Sequence, residues 1–367
     1  MKVWAWSFAC LLSGTYPSAD ADGKPFPPGS RRFKLAGHAI AGSWRFAFAG
    51  ALGDWSWHAK LFYPVLHCAS HNFLCFRCCA SRKLRRLRHQ DRRPAAGWRR
   101  TVISTVDFLD AMPLICNAVY TIAGFDLALI RCDLMHCCFL GMFQVTCANM
   151  IVELMELNHF CSPGTTKDLL YQFTYCALVS YCRSFGLKVD MRSMTPGTLG
   201  VSKLKLSPEL NCKAHDCRVI VGWIEGECSR ASDRNTPHGA HRHALAWSQL
   251  QLCLALERAP RYLVHQEDLD NIQKAGGDFV DLYVSLSEKA RENGVNRWKL
   301  LRKVHTFIHQ LEDMLADRLN PRHYSGWTDE SLMNRVVKMA TDVDSRTALL
   351  NVLVGWWPAF IERARTS

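Results

Sequence analysis

Three things are scarce in this chain of 367 residues. It lacks a clean membrane span: the most apolar run, Leu134 to Met155, carries His136, Gln144, Asn149 and Glu153, which are costly at mid-bilayer, so a buried helix and no membrane partner are expected. It lacks internal repeats and long low-complexity tracts, which excludes solenoid and fibrous architectures. Acidic residues are also short: Lys and Arg outnumber Asp and Glu by 45 to 33, leaving a net charge of +12 and a pI near 9.0. That balance favours a polyanionic partner, although charge alone does not separate nucleic acid from an anionic membrane surface.

Cysteine, by contrast, is plentiful. The seventeen residues are odd in number and scattered through apolar segments (Cys116, Cys147, Cys176, Cys253), which fits a reduced, intracellular protein with buried thiols better than a disulfide scaffold. Lys2 followed by VWAWSFACLLSG imitates a secretory leader, but two tryptophans and a serine interrupt the apolar run, and it is read as not a signal peptide.

Length and 49% hydrophobic content allow a sizeable core. The expected fold class is α+β and predominantly α-helical. Residues 1–66 read as a partial α/β segment: a turn-rich piece (TYPSADADGKPFPPGS), then short aromatic runs (WRFAFAGAL, KLFYPVL) expected as strands. A cysteine-rich turn and a basic run occupy 67–100, a helical block 101–300, and C-terminal helices 301–367. Within the block, Thr101 to Glu156 and Lys167 to Phe185 read as helical, 186–245 as loop-rich, and Ala244 to Arg258, Asp268 to Asn293 and Val295 to Leu319 as helices. A further helix is expected from Ser331 to Thr341 and an apolar one ends near Arg363.

Chemistry concentrates in a few places. Asp54 lies at an expected strand end, and Cys75 and Cys78 have the CxxC spacing of half a metal site. Two imidazoles one helical turn apart would complete it, and His305 and His309 offer that spacing in WKLLRKVHTFIHQLED. Cys212, His215 and Cys217 form a rival set without an evident fourth ligand. Asp133 and His136, three residues apart on an expected helix, suit either an orienting pair or a helix-start hydrogen bond. Near the C-terminus, Asp329 reads as a helix cap beside Glu330. Between the cysteines and the helical block, Arg82, Lys83, Arg85, Arg86, Arg88, Arg92 and Arg93, followed by Arg99 and Arg100, are answered only by Asp91. Such a run is either a solvated face or a phosphate-tracking surface.

In order along the chain, Asp54, Cys75-Phe-Arg-Cys78, the D-x-M-H-x3-L-G string of Asp133, Met135, His136, Leu140 and Gly141, the K-x-H-x3-H string of Lys303, His305 and His309, and an acid before a helix together resemble the catalytic region of DDE transposases of the CACTA-like group. The likeness extends to the vertebrate V(D)J recombinase and its transposon relatives, in which a CxxC and a distant histidine pair share one zinc ion. The spacings are similar: 21 residues from Asp54 to Cys75 and 21 from His309 to Glu330. The resemblance implies a partial RNase H-like core interrupted by a large helical insertion, and a structural Zn2+ on Cys75, Cys78, His305 and His309. It further implies Asp54 as the second and Glu330 as the third of the catalytic acids that bind Mg2+ or Mn2+, with Asp133 a further catalytic candidate and His136 in support. DNA would be the partner, through the basic run, with a nuclear location and homo-oligomers open. No acid on an apolar strand precedes Asp54, since Asp20 and Asp22 lie in a turn, which implies a truncated or domesticated derivative. The competing expectation is a non-catalytic, mostly helical structural or interaction protein with buried free cysteines.

Overall fold

The computed structural model describes residues 2–61, 74–110, 118–201 and 207–327. Met1–Tyr324 forms one compact unit and Ser325–Ser367 another. In the second unit only 325–327 are described, so Glu330 and the expected terminal helices lie outside the described residues.

The first unit is mainly helical with one small parallel sheet. Its N-terminal part carries α1 (Lys2–Ser13), α2 (Arg31–Leu35), β1 (Ala51–Gly53), α3 (Trp55–Leu61) and α4 (Thr105–Asp110). Strand β2 (Ile130–Cys132) and α5 (Leu134–Cys137) lead into α6 (Phe143–Glu156), α7 (Lys167–Ser184), α8 (Ala214–Arg230), α9 (Pro237–Arg258), α10 (Gln266–Glu292) and α11 (Lys303–Asp317). Of the strands expected from aromatic runs between 31 and 66, β1 is found among the described residues, and residues 62–66 lie outside them. Arg31–Leu35 is helical instead, because Ser30 accepts the Phe33 N–H and caps it, and Trp55–Leu61 is helical because Asp54 does the same for Trp57. Conversely, the helix expected from Thr101 contains β2, and the loop expected over 186–245 contains all of α8. Helices α7 and α10 fall within two residues of their expected bounds.

The core is built around α6, whose residues from Phe143 to Ile151 are all buried. Together with α5 it forms Leu134–Glu156, the stretch among the described residues that is long and apolar enough to span a bilayer, and 89% of its best window lies buried inside the protein. Helices α8 and α9 pack around it, α10 lies on α9, and α11 lies on α10 and α5. Its polar side chains are satisfied locally. Asn149 donates to the carbonyls of Val145 and Pro208, Gln144 to that of Cys212, and Thr146 to Gln249. Glu153 collects His238 Nε2 and Trp298 Nε1, each at 2.9 Å, and Arg242 Nη1 at 3.3 Å. A second, smaller cluster (Ala5, Phe76, Phe108, Tyr120, Leu127, Ile130) holds the N-terminal helices against β2.

The two strands run parallel in the register Ala51–Ile130, Leu52–Arg131 and Gly53–Cys132. Gly50, at φ +138°, lets the backbone approach β2, since a Cβ there would stand 2.8 Å from the Leu129 carbonyl oxygen. The register is closed by a hydrogen bond from Asp133 N to Gly53 O at 3.0 Å. Parallel strands end together, so Asp54 and Asp133, the residues after β1 and β2, emerge side by side.

Candidate metal centre

The half-sites singled out by spacing meet. Cys75, Cys78, His305 and His309 are all buried, and their ligand atoms lie within 4.8 Å of one another, a group that could hold a metal ion. Cys78 Sγ is 3.1 Å from His305 Nε2 and 3.6 Å from His309 Nε2. Ligands on a tetrahedral ion with bonds of about 2.3 Å to sulfur and about 2.0 Å to nitrogen stand about 3.5 Å apart, so the donor set and its spacing fit such an ion. Helix α11 supplies both imidazoles because i and i+4 share a face, and that face is its buried one.

Residues around the ligands orient them. His305 Nδ1–H donates to the His89 carbonyl at 2.9 Å, which leaves Nε2 to face the sulfurs. The Glu312 carboxylate stands 3.4 Å from His309 Nδ1 and is itself paired with Arg99. The Arg77 N–H donates to Cys75 Sγ at 3.3 Å. Trp98, fully buried, packs edge-on against both imidazoles at 4.6 and 5.1 Å and shields the group from water. Burial alone would raise the Cys75 thiol, yet hydrogen bonds from Cys78, His305 and His309 hold it well below its ordinary range. Against the opposing effect of burial, the Cys75 thiolate raises His309 to about 9. The centre thus favours a thiolate, the form that binds metals. The rival set does not assemble: His215 is exposed and bonded to the Lys188 carbonyl, away from the buried Cys217. Among the described residues the Cys75 group is the one such cluster.

The two motif strings prove to be one physical unit. Between α5 and α6 the helix breaks at Leu140 and Gly141, freeing carbonyls. Lys303 Nζ, at the start of α11, takes the Leu140 oxygen at 2.6 Å, and its stem lies where a Cβ on Gly141 would sit, at 2.4 Å. Gln310 donates to the Cys132 carbonyl at 2.6 Å, and Asp313 pairs with Arg77 through two bonds of 2.8 Å. The helix carrying the imidazoles therefore backs directly onto β2, the strand that ends just before Asp133.

Asp133 is 3% exposed and Asp54 half-buried. Asp133 accepts the Met135 N–H at 2.8 Å, the helix-start hydrogen bond, and its carboxylate stands 2.5 Å from His136 Nδ1. Asp54 accepts the Trp57 N–H at 2.6 Å. Between them lies a residue the sequence reading passed over. His58, fully buried and four residues after Asp54, feels both carboxylates, yet burial drives its imidazole down to about 4, so it stays neutral at neutral pH. Its i, i+4 spacing from Asp54 was the available signal.

The basic run divides in two. Arg88 pairs with Glu288 at 3.1 Å, Arg92 with Asp281 at 2.5 and 2.7 Å, Arg93 with Asp91 at 2.8 Å, and Arg99 with Glu312. Arg82, Lys83, Arg85 and Arg86 are exposed and have no carboxylate partner among the described residues. No protein-family model, curated protein or solved structure matches the chain.

Proposed function

We propose that this chain is a transposase-derived DNA-binding protein of RNase H-like ancestry, stabilised by a structural Zn2+ on Cys75, Cys78, His305 and His309. The observation that carries it is the emergence of two aspartates, Asp54 and Asp133, from the carboxyl ends of adjacent parallel strands, directly in front of the helix bearing the metal-site histidines. The resemblance makes Asp54 the second acid of the set; the pairing with Asp133 favours instead a reading in which Asp54 and Asp133 act together as neighbouring carboxylates. Carboxylates so placed suit Mg2+ or Mn2+, hard ions that prefer oxygen. When bound there, such ions would supply an activated water or 3′-hydroxyl and stabilise the leaving oxygen of a phosphodiester. The protein's own part is positional. The Met135 N–H and His136 fix the Asp133 carboxylate, and Gln310 and Lys303 hold its strand and following helix. Glu330, the expected third acid, lies outside the described residues.

The test is Mn2+-dependent nicking of duplex DNA by the zinc-loaded protein, together with the Mn2+ electron paramagnetic resonance signal. Asp54→Asn and Asp133→Asn should each abolish nicking and weaken Mn2+ binding, while leaving the zinc content at one per chain. Nicking and Mn2+ binding unchanged in both variants would reject the assignment. A second reading has its own support, because each carboxylate already accepts a helix-start N–H. On that reading the chain is a non-catalytic helical interaction protein whose aspartates are caps and whose cysteines are core. It predicts no Mn2+ binding in the parent protein, and a melting temperature lowered by Asp→Ala at either position but kept by Asp→Asn, since Asn caps a helix as well as Asp.

A further inference from the structure

The four unpaired cations sit on a loop with a closed neck. Ser81 N donates to the Leu87 carbonyl at 2.7 Å, His89 N to that of Ser81 at 3.2 Å, and Ser81 Oγ accepts the N–H groups of Lys83 and Leu84 at 3.2 Å each. Ser81 is fully buried, as is the anchoring side of His89, whose carbonyl holds His305 Nδ1. The loop is therefore rooted on the metal centre, and the flanking arginines Arg77, Arg88, Arg92 and Arg99 fasten its base to α10 and α11 through carboxylates. What projects is Arg82-Lys83-Leu84-Arg85-Arg86, every residue exposed.

We propose that this projecting loop is a contact for the phosphate backbone of duplex DNA, made by Arg82, Lys83, Arg85 and Arg86. The proposal rests on the nucleic-acid assignment above and divides the basic run by job: the tip binds, the flanks fasten. Three of the four cations are guanidinium groups, whose fork geometry matches phosphate oxygens. Five residues reach at most about 17 Å, comparable to a short run of phosphates spaced about 3.4 Å along one strand. Ordering the loop in advance reduces the entropy lost on binding. An anionic membrane is the poorer fit, since Leu84 alone offers apolar surface at the tip and interfacial binding needs a buried apolar face.

The test measures fluorescence anisotropy of a short labelled duplex against salt, using the full zinc-loaded chain. Four neutralised phosphates give a slope of about −3.6 in log affinity against log salt, roughly a 150-fold weakening from about 50 to about 200 mM. Replacing Arg82, Lys83, Arg85 and Arg86 by Ala should bring the slope close to zero with an unchanged melting temperature, because these side chains make no internal ion pair. Arg92→Ala should lower the melting temperature and keep the slope. A quadruple variant that retains the parent slope overturns the loop assignment while leaving DNA binding intact. A parent protein that binds no duplex overturns the nucleic-acid assignment itself. Binding of the parent to phosphatidylserine vesicles in preference to duplex would overturn the choice of partner.

Discussion

Removing the proposed Zn2+ should cost this protein a measurable, calculable part of its stability. An ion on Cys75, Cys78, His305 and His309 ties together positions 227 residues apart, Cys78 and His305. In the chain-entropy treatment of cross-links, closing a loop of that length restricts the unfolded chain by about 5 kcal/mol at 25 °C. Against a typical unfolding free energy of about 5–15 kcal/mol, that is a large fraction. A unit of this size has an unfolding entropy of about 0.7 kcal/mol/K, which converts the loss to a fall in melting temperature of about 7 °C. The assay is differential scanning calorimetry of the protein as purified and after dialysis against a strong chelator, with zinc content measured on both samples. One zinc per chain and a chelator-induced fall of this order are expected. The Cys75→Ser variant, already lacking a ligand, should lose most of its response to chelator while remaining folded enough to give a transition. Equal melting temperatures with and without chelator, or a purified protein free of zinc, would refute the reasoning.

Two further outcomes follow from the packing. Gly141→Ala places a Cβ 2.4 Å from the Lys303 stem and 3.0 Å from the His136 carbonyl, so either Lys303 leaves the Leu140 oxygen or the helix break shifts. A loss of about 1–3 kcal/mol in urea unfolding is expected, and a loss below that of a surface Gly→Ala control would contradict the contact. The His238–Glu153 hydrogen bond raises the imidazole's pKa above its ordinary value, outweighing partial burial. The folded state therefore holds the proton more tightly than the unfolded chain. That contribution is complete below the unfolded value of about 6.5 and fades as pH rises through the higher folded value. In thermal melts at a series of pH values His238→Gln should flatten this decline, and an identical pH profile in the variant would exclude it.

How much of this was legible beforehand depends on range along the chain. Helices α7 and α10 were readable because apolar spacing and terminal breakers are local. Helix α8 was not, since its polar start at His215 and Asp216 and its interior Gly222 and Gly226 imitate a loop, while burial of Val219, Ile220, Trp223 and Ile224 against α6 and α9 decides the matter. The short strands were equally hidden. Three residues carry too little pattern to stand out, and β1 exists because Gly50 admits β2 from nearly eighty positions away.

By itself the sequence determined the donor chemistry: a cysteine pair three apart and a histidine pair one helical turn apart are fixed by local geometry, whatever the fold. It also fixed the charge excess and the buried character of the α6 stretch. Only the tertiary structure decided who meets whom. It brought Cys78 to His305, set Asp54 beside Asp133 through a parallel pairing, and spent Arg88, Arg92 and Arg99 of a uniform-looking basic run on carboxylates of α10 and α11. The physical reason is that a charge's partner is set by distance in space, and residues some two hundred positions apart acquire that distance only when the core closes around α6.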